Sequence, residues 1–478
     1  MCIVGAGAAG ISIAREFLDT NVSVVMLEGG HLEADGATQA LNDGVVTGLN
    51  YPLATSRLRF FGGTTNHWAG QSCPMEEIDF QHRPWVPNSG WPIEFEDYVR
   101  YVERAKRICQ LTDRPFAWEN WKDSVDFPLS QEMFHPLLLQ YPIPKPRFGQ
   151  DYREDIANAN NIRCILDANA TNIESNVEHT VDYIDVKSLN GVSAKVQARK
   201  FILACGAIQN VKLLLNSRNR FPHGIGNVHG NVGKYFMEHP NYDTGIIELR
   251  DPSAYPMIAK PIRRFTEEKI RYDFRLVEAL QEKYKVLNHS LFLRPAARTP
   301  SGNTLGGQTA QFWHRTDNKA DGDTSREIYT LRVRLEHAPI ENSWVSLSKE
   351  KDALGLYNPK LHLQIGDMET HTVAVVQEVL AKALGARNIG RMKINFEPAK
   401  NKWKYQVGWQ YHHLGGTRMS KNPEQGVVDE NCKVHSSTNL YIASSSIFPT
   451  GGHANPTMNI VAFALRLAEH LKQEMYVS

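Results

Sequence analysis

The chain lacks paired cysteines. Its six, Cys2, Cys73, Cys109, Cys164, Cys205 and Cys432, are scattered through 478 residues. That spacing argues against a disulfide framework and a zinc site, and each reads as a small buried hydrophobe. No CxxCH or iron–sulfur spacing occurs, so electrons handled here must leave to an outside acceptor. No HExxH spacing or carboxylate-rich cluster supports a metal at His412, His413 and His453, and no metal is expected. The formal net charge is only +1, which provides no basic field to gather nucleic acid or acidic membrane. No apolar run reaches membrane-spanning length, since Arg466 interrupts the stretch from Ile460 to Leu471. The first residues read as a buried strand rather than a secretory signal, so a reducing, cytoplasmic setting is expected. Only Met1 to Val4 precede the first glycine, which leaves room for a start upstream.

What remains is ordinary globular composition, 42% hydrophobic and 22% charged, in a chain long enough for two or three domains. Cys2-Ile3-Val4 is a short apolar run that ends in Gly5-Ala6-Gly7-Ala8-Ala9-Gly10. Ile13, Ala14, Phe17 and Leu18 then share a helical face, and Val22 to Leu27 reads as a second buried strand ending at Glu28. This order opens a doubly wound α/β sheet. Gly5, Gly7 and Gly10 permit a tight turn, close approach of a pyrophosphate and close helix packing, and Glu28 stands where an acid meets ribose hydroxyls. A second such site is weak: arginine, proline and histidine, not an apolar strand, precede Gly224, Gly226 and Gly230, which read as a loop. Phe201 to Cys205 is another buried strand, and its end at Ala204 to Gly206 borders a cofactor crevice in such folds.

The middle of the chain differs. Leu331, Val333 and Leu335 alternate with Arg332, Arg334 and Glu336; Leu361, Leu363 and Ile365 alternate with His362 and Gln364. Both predict half-buried antiparallel strands that could roof a pocket. Pro142, Pro144 and Pro146 mark an extended linker between Tyr141 and Phe148. The polar, glycine-rich stretch from Pro300 to Thr324 is expected to be a loop able to act as a lid.

Two C-terminal segments concentrate histidine among glycines: His412-His413-Leu414-Gly415-Gly416-Thr417-Arg418-Met419, and Gly452-His453-Ala454-Asn455-Pro456-Thr457-Met458-Asn459. Such backbone can approach a flat ligand closely. Asn455-Pro456 before an amphipathic run also reads as a helix start, with Asn455 at the N-cap and Pro456 at the first helical position.

Together with Phe61-Gly62-Gly63-Thr64-Thr65-Asn66-His67-Trp68, Gly90-Trp91-Pro92-Ile93 and Gly233-Lys234-Tyr235-Phe236-Met237-Glu238-His239-Pro240, these pieces resemble the glucose–methanol–choline (GMC) oxidoreductases. The resemblance runs from Cys2 to the C-terminus, most closely to the bacterial branch related to pyranose oxidases and fructose or gluconate dehydrogenase subunits. It implies an α/β fold: a Rossmann-like FAD domain (1–79, 150–236 and 426–478) and a substrate domain with a large antiparallel sheet (80–149 and 237–425). It implies FAD held by Gly5, Gly7, Gly10, Glu28, Gly63, Thr64, Asn66, His67, Trp68, Ala204, Gly206, Ser444, Asn455, Pro456 and Thr457. In the pyranose-oxidase branch a histidine before tryptophan bonds the flavin covalently, and His67 occupies that place. Ser444 departs from branches that carry an aspartate there to help hold FAD.

By the same resemblance, the family's catalytic histidine stands seven residues before a methionine, which selects His412 over His413, and Asn455 fills the second catalytic position. The implied reaction is oxidation of a secondary alcohol on a sugar, glycoside or polyol. His412 is the general base, Asn455 orients the hydroxyl, and electrons leave to O2, a quinone or a redox protein. Neutral imidazole suits the base role, with an unperturbed pKa near ~6.5. Trp313, Trp344, Trp403 and Trp409 are candidates to stack on a sugar ring, though core packing is the commoner use. His239, His435 and His453 read as surface, core or loop residues. Competing readings are non-redox hydrolase or lyase chemistry on the same scaffold, a non-catalytic flavoprotein, or the catalytic subunit of a membrane-associated assembly.

Overall fold

Short apolar runs that meet glycines become the parallel strands. The structure, a computed structural model, describes residues 1–124, 127–265, 268–296, 328–394 and 407–477. Its central parallel sheet runs in the order Leu440–Ile442, Phe201–Leu203, Cys2–Val4, Val24–Leu27, Ile162–Ile165. Every residue of the Cys2–Val4 and Phe201–Leu203 strands is buried, as expected for strands covered on both faces. The chain leaves Cys2–Val4 for Val24–Leu27 on one side, and Phe201–Leu203 lies on the other. That reversal opens a crevice beyond the strand ends, where Gly5 and Ala204 lie side by side.

Gly5 and Gly10 give the turn and the close packing predicted of them. A Cβ on Gly10 would sit 2.0 Å from the Gly5 carbonyl oxygen, so only glycine lets the Ala8–Glu16 helix pack so close to the turn. The C-terminal helix Pro456–Val477 packs against this first helix.

A second, antiparallel sheet runs in the order Ile262–Arg264, Lys269–Leu276, His289–Pro295, Ile328–Leu335, Asn241–Leu249, Gly390–Lys393, with Phe134–Tyr141 also paired to Lys269–Leu276. Leu331, Val333 and Leu335 pack with Val373, Val376 and Leu380 of the long helix Asp367–Ala386. The alternating pattern predicts this strand correctly, but its polar side is not a wet side. Arg334 is 2% exposed and Glu336 fully buried. The run through Leu361 and Leu363 lies elsewhere. Tyr357–Leu363 joins a small sheet, antiparallel to Trp344–Lys351 but parallel to Val45–Gly48. Periodicity marks a strand's faces but not its partners, which is why one large roof was expected from both runs. The stretch from Pro300 to Thr324, with Trp313, and also Trp403 lie outside the described residues. Among the described residues no helix is long and apolar enough to cross a membrane.

Candidate active site

A groove crosses the ends of the parallel strands. It is lined by Gly5, Gly7, Glu28, Gly63, Thr64, Trp68, Ala204, Gly206, Ser444, Pro456 and Thr457, and also by His412 and His413. The two chain ends therefore do share one site. Gly206 has φ +80°, and a Cβ added there or at Gly7 would meet nothing within 4 Å, so both backbones face open space. Arg57 and Arg59 line the same groove, and Arg57 Nη1 and Arg59 Nε are buried without partners. Burial, with Arg59 close by, lowers the Arg57 pKa to about 9. Two guanidinium groups with unspent donors beside a glycine-rich turn and a helix N-terminus suit a pyrophosphate. The residues present thus fit a flavin dinucleotide.

Other expected contacts fall differently. Glu28 lines the groove, yet its carboxylate also accepts from the Ala6 and Gly30 N–H groups, each at 2.9 Å, which braces the glycine turn. Gly10 serves packing only. Asn66 does not line the groove: it donates to the Phe61 carbonyl and accepts from the Gly149 N–H, spending its amide on the loop. His67 is exposed and is not among the lining residues, although Trp68 is. The 3-10 turn Gly63–Asn66 ends at His67. Ser444 lines the groove, but its hydroxyl is engaged by Asn210 and Ser446. Asn455 does not cap its helix with its side chain, whose oxygen and nitrogen go to Arg334 and His412.

The catalytic pair predicted from sequence does meet: Asn455 Nδ2 lies 3.3 Å from His412 Nε2. His412 is placed by Glu238, a buried carboxylate that accepts from the N–H groups of His239, Gln410, Tyr411 and His412 at 2.8–3.0 Å. Burial raises the Glu238 pKa to about 7 despite those donors. The clamp also holds Tyr411 at φ +61°, a strained backbone for a residue with a side chain. Burial first, then His239, Arg334 and His413, hold the His412 pKa well below its usual value, which keeps the ring neutral with one nitrogen unprotonated.

His413 is the neighbour expected. Its Nε2 meets the Tyr51 hydroxyl at 2.8 Å and the Ser56 hydroxyl at 3.2 Å, and burial, with Arg57, lowers its pKa to about 3. His453 is more than a loop residue. It is buried and meets the Glu76 carboxylate at 2.9 Å; burial opposes its charge, but Cys73 and Glu76 raise its pKa to about 10. His435 meets the Ser420 carbonyl. Trp409 packs edge-on to Tyr51, and Trp344 stacks on His362.

Sequence reading leaves three site residues without a role there. His239, read as surface or core, is fully buried with Nδ1 2.8 Å from His412 Nδ1. Glu238 precedes it in a segment already quoted, and that adjacency was the available signal. Arg334 bonds Asn455 from what reads as the polar side of a strand. Nothing in the sequence distinguishes it from Arg332.

The chain is similar to several known proteins. The family model of the GMC oxidoreductases matches residues 339–464. The fructose dehydrogenase large subunit of Gluconobacter japonicus is 24% identical, over 87% of this chain and 80% of that one. Paromamine 6'-oxidase of Streptomyces fradiae is 28% identical, over 98% and 90%. Among solved structures, pyridoxine 4-oxidase from Mesorbium loti aligns with a TM-score of 0.57 at 17% identity, covering 99% of both chains.

Proposed function

We propose that this chain, an oxidoreductase of the GMC type acting on CH–OH groups, oxidises a secondary alcohol on a sugar, glycoside or polyol to a carbonyl. The observation that carries the reading is the pairing of His412 Nε2 with Asn455 Nδ2, 3.3 Å apart, at a groove suited to a dinucleotide. FAD bound there supplies a hydride acceptor. The groove backbone at Gly5, Gly7 and Gly206, with Arg57 and Arg59, would hold its nucleotide portion. His412 takes the hydroxyl proton on Nε2, while Asn455 Nδ2 donates to the same oxygen and orients the alcohol. The carbon becomes a carbonyl, and the hydroxyl proton is left on His412 Nε2. The sugar class is supported by the relatives above, one named for fructose and one for paromamine. O2, a quinone or a redox protein takes the electrons afterwards. The reading needs no bond from His67.

The test is anaerobic reduction of the bound flavin by a panel of sugars, glycosides and alcohols. His412→Ala should keep its flavin and slow reduction by roughly 10²–10⁴-fold, the usual contribution of a general base. His413→Ala should be milder. The opposite ranking sinks the assignment.

A further inference from the structure

The site contains one group whose hydrogen-bonding role cannot change. A guanidinium donates and never accepts. Arg334 Nη1 lies 2.8 Å from Asn455 Oδ1, so that oxygen accepts and the amide nitrogen must face the other way. Arg334 Nη2, against Gln71 Oε1 at 3.3 Å, holds the guanidinium from its other arm. Asn455 Nδ2 therefore aims N–H at His412 Nε2, which must be bare of hydrogen to receive it. A neutral imidazole keeps one hydrogen, so His412 carries it on Nδ1. His412 Nδ1 faces His239 Nδ1 at 2.8 Å, with the two rings nearly perpendicular. Two N–H groups cannot face each other, so His239 Nδ1 accepts. Its own hydrogen then sits on Nε2, which is buried beside the Gly451 and Gly452 backbone without a hydrogen-bond partner of its own.

We propose that Arg334 and His239 are positioning residues that lock His412 into the Nδ1–H form, with Nε2 as the base and Asn455 as a donor to the substrate oxygen. The inference rests on the alcohol-oxidising reading above and adds the source of the proton arrangement. The Asn455–His412 contact, at 3.3 Å, is a long hydrogen bond, and an alcohol oxygen placed beside the pair can exchange it for one bond to each nitrogen. Its hydroxyl gives its hydrogen to Nε2 and receives one from Nδ2. As the proton moves to Nε2, negative charge grows on the oxygen. Asn455, polarised by the Arg334 cation, is already turned to meet it. Among the described residues no carboxylate pairs with Arg334, and its charge is left directed at the amide.

The groups facing the His412 ring are His239 before the Asn241–Leu249 strand, Arg334 on the Ile328–Leu335 strand and His413 on the ring's own loop; Glu238 holds the backbone behind it. Arg334 is the permanent cation among them.

The test is nitrogen-15 NMR of histidine-labelled, flavin-loaded protein, with His412→Asn used to assign the signals. The expected result is a His412 ring protonated at Nδ1 and bare at Nε2. A ring protonated at Nε2 overturns the proposal without touching the assignment of His412 as base, which flavin reduction tests separately. Arg334→Met should mix the two forms, slow flavin reduction at least tenfold and move the acid limb of kcat/KM to higher pH. An unchanged tautomer and acid limb overturn the role of Arg334. His239→Gln, which keeps an acceptor, should preserve the wild-type tautomer, and His239→Leu should lose it. Equal spectra for the two variants overturn the role of His239.

Discussion

On the Ile328–Leu335 strand, Tyr329, Leu331, Val333 and Leu335 turn to the long helix, while Arg332 and Arg334 turn away. Neighbouring strands repeat the division. Phe274, Leu276, Leu291 and Leu293 join the apolar side, and Arg271, Asp273, Arg275 and Ser290 the other. Both faces are dry over much of their area. The apolar face is held by contact area, which is indifferent to direction. The polar face is held by directed bonds. Arg83 pairs with Glu336 through both arms, at 2.6 and 2.7 Å, Arg275 reaches Glu76, and Arg271 reaches Asp273. Burial of those charges is costly unless each is paired. The difference explains why the site lies on the polar face. Area can bring elements together, but directed bonds are needed to decide where one hydrogen sits on His412.

Arg83→Met tests the comparison hardest. It strands Glu336 in a dry site and should cost about 3–5 kcal/mol in urea unfolding. Replacing both partners, Arg83→Met with Glu336→Leu, should recover part of that loss, because no unpaired charge remains. A single variant with almost no cost would mean that the face is wetter than it looks. On the apolar face, Leu331→Ala should cost about 2–5 kcal/mol by opening a cavity, with little change in flavin reduction once folded. A change in the rate of reduction as large as that in stability would erase the distinction between the faces.

Acid should act chiefly through the buried imidazoles. His239 and His413 titrate at about 3 when folded, lowered first by burial, and His289 and His337 at about 4 for the same reason. Unfolded histidine titrates near ~6.5, so as pH falls below that value the unfolded chain takes up protons first. The stability held by these neutral rings is fully present above about 6.5 and lost progressively toward 3. Glu238 and Glu369, raised to about 7 by burial, and Asp79, raised to about 6, work the other way. The four rings outnumber them, so the melting midpoint should drop across that range, and a flat profile would show that the rings are not kept neutral. Arg332→Ala should have the smallest effect. Arg332 pairs with Asp243, which is 39% exposed, where the polar face reaches solvent. A pair of that kind contributes about 0.2–1 kcal/mol. A larger loss would show that the face stays dry to its rim.

The difference between these residues also marks what was legible beforehand. The glycine turn could be read because Gly5, Gly7, Gly10 and Glu28 all fall within the first strand–turn–helix–strand unit. Residues 412 and 455 could be matched because each sits in a distinctive glycine-rich segment. Arg334 could not be told from Arg332 because alternation gives both the same face. Only the fold makes one a buried partner of Asn455 and the other a rim charge. His239 offered only its place in a quoted segment, not its partner, since its contact with His412 spans 173 positions. Asn455 read as a helix cap because local rules favour it there, and the buried guanidinium of Arg334 claims its oxygen instead.

Local sequence therefore determined the parallel strands, the glycine turn and the apolar face of the large sheet. These follow from steric and periodic rules that act over a few residues. The tertiary structure alone decided which polar residues are dry, how the Asn455 amide is turned and which nitrogen of His412 is bare. Those depend on donors and acceptors from distant parts of the chain meeting within about 3 Å, and a hydrogen bond takes its direction from the partner it meets.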